Sequence, residues 1–185
     1  MKKLSFLILI CLFATLGVNA QGVGLGIKAG ANFANVDLGD VETDNKTGYH
    51  FGAFVDLGLN DNISIQPELL FSSQGTSSDD FGDIDFTYLT IPVLLKLKFA
   101  NIVNVHAGPQ FGILSSAKDD DGDDIKESFK SADISLDLGA GVELPAGLVA
   151  GLRYNLGLND INDNESVNVE AKNRVMQIYV GWKLF

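Results

Sequence analysis

One cysteine, one tryptophan and two histidines are all that this 185-residue sequence holds of those types, and each scarcity closes off a chemistry. Cys11 lies inside the apolar run from Leu4 to Val18 and follows Ile10, where lipoprotein processing requires a small residue, so it is not a lipidation site. Beyond residue 20 there is no cysteine, which removes disulfides and thiolate metal sites and leaves backbone pairing and packing to hold the fold. Cations are few as well. Without Lys2 and Lys3 the chain keeps eleven basic residues against twenty-four acidic ones, a net charge of −13. Nucleic acid is thereby excluded as a partner, because phosphate binding needs clustered Lys and Arg. After residue 20 no stretch approaches the eighteen or so consecutive apolar residues that a membrane helix needs, so strands are the remaining way to cross a bilayer.

The N-terminus carries Lys2 and Lys3, then the apolar run, then Val18-Asn19-Ala20, the small-residue pattern of a signal-peptidase site. The expectation is a cleaved signal peptide over residues 1–20 and one exported domain over 21–185. The apolar run is too short, and too soon followed by polar residues, for a stable anchor.

The rest reads at period two, the signature of strands. Val23, Leu25, Ile27, Ala29, Ala31 and Phe33 alternate with Gly24, Gly26, Lys28, Gly30 and Asn32. Similar runs follow over 49–59, 63–72, 87–99, 103–113, 133–144 and 148–158, and an eighth over Lys172 to Phe185. The connections alternate in length. Asn60-Asp61-Asn62, Ala100-Asn101 and Pro145-Ala146-Gly147 are tight, whereas Asp37 to Thr47, Gln74 to Asp85, Ser116 to Ser131 and Asn159 to Ala171 are long. Short turns on the periplasmic side and long loops outside are the habit of membrane barrels. The expected fold is all-β: an eight-stranded antiparallel up-and-down transmembrane barrel, integral to a bacterial outer membrane. Eighteen of the twenty-four carboxylates then fall in the outer loops.

Charge decides which face meets lipid. Lys28, His50, Asp56, Glu68, Lys96, Lys98, Asp133, Asp137, Glu143, Arg153 and Lys183 share one face with many glycines. Facing each other across a narrow lumen they can pair, whereas a Lys or Arg on the lipid face costs about 2–4 kcal/mol at the midplane. Phe33, Tyr49, Phe51, Phe71 and Phe111 are expected near the outer rim, with Phe99 and Trp182 near the periplasmic rim, where aromatic rings favour headgroups. Pro67 and Pro109 fall inside strands, and local bulges are expected there.

Three segments, Ile65 to Gly75, Tyr88 to Lys96 and the closing strand, together resemble the PorT-like outer-membrane β-barrel family of the Bacteroidetes. The likeness runs from Gly26-Ile27-Lys28-Ala29-Gly30 to the end. It implies the same barrel and location, and a closing strand read by the barrel-assembly machinery through Ile178, Val180, Trp182, Leu184 and Phe185. Leu184 and Phe185 are adjacent, which puts the terminal Phe out of phase with Trp182.

Asp119-Asp120-Asp121-Gly122-Asp123-Asp124 is dense in hard oxygen donors, but Asp124 and Lys130 stand where an EF-hand needs Gly and Glu. Asp119, Asp121 and Asp123 remain candidates for weak Ca²⁺ or Mg²⁺ binding only, and no other cofactor is expected. His50 and His106 begin strands running in opposite senses, so they are placed toward opposite ends, each as an interior hydrogen-bonding residue. Gly24-x-Gly26 and Gly139-x-Gly141 recur at period two with no helix following, so they are barrel glycines and not nucleotide loops.

The reading is a non-enzymatic barrel with a filled interior, acting through acidic outer loops in envelope integrity, adhesion or partner binding. Its expected partners are outer-membrane lipid, the assembly machinery during insertion, and an outer-membrane or extracellular protein. Three alternatives stay open: a component of protein secretion, as for the family's namesake; a lipid-modifying or proteolytic enzyme at the outer rim using His50; and a narrow small-solute channel.

Overall fold

A computed structural model describes residues 22–37, 44–78, 82–100, 102–119, 121–126, 129–159 and 172–184. Residues 1–20, read as the signal peptide, and Phe185 lie outside the described residues. The strands are β1 (Val23–Asp37), β2 (Asp44–Gly58), β3 (Ile63–Ser78), β4 (Gly82–Phe99), β5 (Val103–Lys118), β6 (Ala132–Glu143), β7 (Leu148–Gly157) and β8 (Lys172–Lys183). Each pairs antiparallel with its neighbours in the chain, and β1 pairs with β8 from Gly26↔Lys183 to Asp37↔Lys172, closing the barrel.

The alternation read from the sequence is the alternation of faces. Ile27, Phe51, Leu95, Ile113, Leu152 and Val180 are exposed on the outer surface, while Lys28, Glu68, Asp137 and Arg153 are buried within. This inversion of a soluble protein follows from the solvent. Hydrocarbon rewards an apolar exterior and offers no hydrogen bonds, so all backbone groups must be paired, which only a closed sheet achieves with strands. At one end, Asn60 Oδ1 accepts from Asn62 N and Ile63 N, both at 2.9 Å, and Ile102 N bonds Phe99 O at 3.2 Å. With the 3₁₀ turn Pro145–Gly147, these are the three tight connections of the periplasmic end.

Two expectations are corrected. Neither Pro67 nor Pro109 sits at a bulge. The register shifts instead between Asn45 and His50 in the β2–β3 ladder and at Thr87/Tyr88 in the β4–β5 ladder. Through the prolines the register holds, and rungs are simply skipped. The ladder passes from Phe54↔Glu68 to Leu57↔Ile65 around Pro67, from Pro67↔Val93 to Leu70↔Thr90 around Pro92, and from Pro92↔Gln110 to Leu95↔Ala107 around Pro109. Proline has no N–H to strand, so within the bilayer it costs one facing carbonyl its partner, while neighbours on both sides fix the register. The bulges lie toward the outer end, where water can satisfy the groups they free.

The outer strands are also longer than the alternation suggests. β3 continues to Ser78 and β4 starts at Gly82, so the connection read as Gln74 to Asp85 shrinks to residues 79–81. β2 begins at Asp44 and β5 runs to Lys118. Backbone pairing outlasts the apolar pattern because beyond the membrane no face has to be apolar.

Candidate functional site

The lumen is filled by side chains. Near its middle Arg153 of β7 reaches across to Glu68 of β3 in a two-pronged ion pair, Nη1 to Oε2 at 2.9 Å and Nη2 to Oε1 at 2.8 Å. Lys28 Nζ approaches Glu68 Oε2 at 2.6 Å, and Gln66 donates to Oε1 at 2.7 Å. Asp137 lies 3.5 Å from Arg153 Nη1 and accepts from Asn155 at 2.7 Å. The Tyr179 ring faces both cations, with Lys28 Nζ 4.5 Å and Arg153 Cζ 5.6 Å from its centroid. Two cations thus balance two anions, all of them buried. Charges so enclosed hold only when paired and hydrogen-bonded.

Toward the periplasm, Asp56 and Glu143 meet Lys96, Lys98 and Lys183. Toward the outside, Asn32 is a hub. Its amide donates to Ser72 Oγ at 3.0 Å, Ser73 O at 2.7 Å and Tyr49 O at 3.1 Å, while its oxygen meets His50 Nδ1 at 2.7 Å and accepts from Gln177 at 3.0 Å. His106 pairs with Asn104 Oδ1 at 3.1 Å. Both histidines are therefore interior hydrogen-bonding groups. Neither touches a hydroxyl among the described residues, and Ser72 Oγ is occupied by Asn32 and Gln74, so no nucleophile and base stand together there.

Above the polar lumen lies an apolar cap that the alternation did not reveal. Phe86, Tyr88, Leu114 and Ala117 point inward and are buried, with Ile84, Ile125 and Phe129 packed against them. Phe129 meets Phe86 edge-on at 4.8 Å and 85°. The cue is in the sequence, where Phe86, Thr87, Tyr88 and Leu89 are bulky on both faces. The β5–β6 connection is folded back onto the cap. Ile125 N bonds Ala117 O at 3.0 Å, the backbones of Lys118 and Asp124 pair as an isolated antiparallel β-bridge, and Gly122 turns the chain at φ 85°. Lys126 Nζ donates to Ser115 O at 3.3 Å.

This folding decides what the acidic run can do. Asp119 Oδ1 accepts from Asp123 N at 2.8 Å and Asp124 Oδ1 from Lys126 N at 3.0 Å, so both carboxylates brace the turn. Asp121 and Asp123 are exposed. Asp119, Asp121 and Asp123 are not brought into a metal-holding group, and no such group of three or more His, Cys, Asp or Glu occurs among the described residues.

On the outside, Ile178, Val180, Trp182 and Leu184 project from the β8 end as one exposed apolar row. Tyr49, Phe51 and Phe71 form a row toward the opposite rim, with centroids 6.4 and 5.5 Å apart. Aromatic residues therefore mark both membrane boundaries.

A family model described as an outer membrane protein beta-barrel domain matches residues 19–163. None of the curated proteins matches the sequence. Among solved structures the chain is similar to Ail, the attachment invasion locus protein of Yersinia pestis, at 13% identity and a TM-score of 0.57, covering 87% of this chain and 98% of Ail. Ail has also been solved in complex with the heparin analogue sucrose octasulfate, and there the match has 15% identity and a TM-score of 0.55, covering 87% of this chain and 99% of Ail. Neisserial surface protein A is similar at 14% identity and a TM-score of 0.57, covering 89% of this chain and all of that one. At these identities the likeness is one of fold.

Proposed function

The chain belongs to the outer membrane protein β-barrel domain family and is integral to the bacterial outer membrane, and from that premise we propose that it is a non-enzymatic scaffold acting through acidic outer loops in adhesion, envelope integrity or the binding of another protein. The observation that carries this reading is the sorting of charge. Eighteen of twenty-four carboxylates fall in the four outer connections as the sequence defines them. Of the other six, Asp56, Glu68, Asp133, Asp137 and Glu143 belong to the lumen, leaving only Asp61 on a periplasmic turn. A lumen crossed by the Arg153–Glu68 pair and capped by Phe129 offers solutes no open path, so the distinctive surface is the outer one. A surface of that sign suits a cationic partner, the opposite of the polysulfated ligand solved with Ail.

Within the family we place the chain with the PorT-like barrels of the Bacteroidetes, on the segments Ile65 to Gly75 and Tyr88 to Lys96. In this reading residues 1–20 are removed on export, and Ile178, Val180, Trp182, Leu184 and Phe185 form the strand that the assembly machinery recognises. Weak Ca²⁺ or Mg²⁺ binding at Asp119, Asp121 and Asp123 would tune the charge of the outer surface. The test compares cells carrying the protein with cells carrying Asp121→Asn, Asp123→Asn and Asp124→Asn together, on polylysine-coated and uncoated surfaces. Neutralisation is expected to lower attachment to polylysine, most strongly at low salt. Attachment unchanged by the substitutions, or a hydrolytic activity abolished by His50→Ala, would overturn the reading.

A further inference from the structure

An apolar groove of about 810 Å³ crosses the lipid-facing wall of the barrel. Its floor is backbone. Gly181, Lys28, Gly52 and Leu70 pair in one continuous row across β8, β1, β2 and β3, and because all four face the lumen only their main chain meets the groove. The outward rows on either side supply the walls: Leu148, Trp182, Ile27 and Leu69 toward the periplasm, and Val180, Phe51, Phe71 and Leu89 toward the outside. Ala53 belongs to the first row and Ala29 to the second. They stand diagonally across the floor with one methyl group each, so the space between the rows stays open. The groove climbs as it crosses. Trp182 stands one residue from the end of β8, Ile27 four from the start of β1, Ala53 five from the end of β2 and Leu69 six from the start of β3, each counted from the periplasmic end of its strand. From Trp182 to Leu69 the gain is five residues, which at ~3.3 Å each along strands tilted about 40° raises the groove by roughly 13 Å. That is close to half of the ~30 Å hydrocarbon core, the depth of one leaflet.

We propose that the groove is a lipid site that retains one acyl chain of a phospholipid from the periplasmic leaflet, with its headgroup end at Trp182 and its chain end beside Leu69 and Phe71. Bilayer hydrocarbon faces this wall, and a gap left in it would forfeit dispersion contacts with the lining, so a chain is drawn in. The dimensions select that occupant. Adjacent outward rows are two residues apart, about 6.6 Å, which admits a single slender chain. The convex face of a second barrel would instead rest on Trp182, Phe51 and Phe71 and leave the floor uncovered. The start at the periplasmic boundary, where an indole favours the headgroup level, and the rise through one leaflet together fit a chain hanging from the periplasmic headgroups.

The experiment uses the folded barrel in non-ionic detergent, which replaces the lipid around the rest of the wall. Native mass spectrometry of protein extracted from outer membranes counts what stays bound, and one phospholipid per barrel is expected. Trp182, the sole tryptophan, then reports the site directly. The delipidated barrel is titrated with phosphatidylethanolamine carrying bromine on its acyl chains, a contact quencher of indole fluorescence. Quenching should saturate at one equivalent and should be stronger with bromine near the headgroup than near the chain end. This comparison needs no substitution, so it decides the case on the parent chain alone. A29L/A53L fills the groove without adding polarity and should weaken binding by about tenfold or more, the worth of two buried methylene groups. A140L, at an exposed alanine of β6 outside the groove, should leave it unchanged. Heat-modifiable gel migration identifies the variants that are folded. Quenching that never saturates, stronger quenching from the chain end, undiminished affinity in A29L/A53L, or equal weakening by A140L overturns the proposal, as does a dimer of barrels in place of a bound lipid.

Discussion

Glu68 anchors the central ion network, since it answers Arg153 through both oxygens, pairs with Lys28 and accepts from Gln66. Glu68→Gln leaves two buried cations facing Asp137 alone. It should cost about 3–5 kcal/mol, the usual penalty for breaking a buried pair from one side. Urea unfolding from lipid vesicles, followed by the fluorescence of Trp182, the sole tryptophan, measures this. Adding Arg153→Met restores the balance of one cation to one anion and should recover part of the loss, which a double-mutant cycle reads as coupling. That these residues face inward was legible, because each falls out of phase with an apolar series. Which of them meet was not. Glu68 and Arg153 are 85 residues apart, and period two states a face without stating which strand lies across the lumen. The role of Asn32 is hidden in the sequence for a related reason, since a mid-strand amide is one polar position among many and its five partners come from other strands.

The strands were legible wherever hydrocarbon enforces alternation, and misjudged where it does not. β3 and β4 run on as a ladder to Ser78↔Gly82, through residues whose composition reads as loop. Proline disturbs these strands less than a bulge would: the skipped rungs at Pro67, Pro92 and Pro109 leave the register intact because each strand is held from both sides. The β5–β6 connection behaves as a structural element in its own right, clamped by the backbone β-bridge of Lys118 with Asp124 and by Phe129 on Phe86. Phe129→Ala removes the clamp's aromatic half, and large-to-small changes at such contacts cost about 3–5 kcal/mol when fully buried. Phe129 is only partly buried, so the effect should stay local. Trypsin added to intact cells should cut at Lys126 or Lys130 several times faster in the variant than in the parent, while global unfolding barely changes.

As a whole molecule the barrel is closed at its sides by β1–β8 pairing, across its middle by the ion network and at its outer end by the apolar cap. In planar bilayers it should therefore show no unitary conductance steps, and well-resolved steps would reinstate a channel. The seam between β1 and β8 carries a further consequence, for biogenesis. Gly26 lies on the first strand and its partner Lys183 on the last, so no product lacking either strand can complete the cylinder. Any fragment ending before β8 keeps two unpaired edges that invite aggregation and cannot be hidden in lipid. Pairing of the last strand with the first thus becomes the condition for stable insertion, and the membrane itself acts as proofreader, retaining only closed barrels.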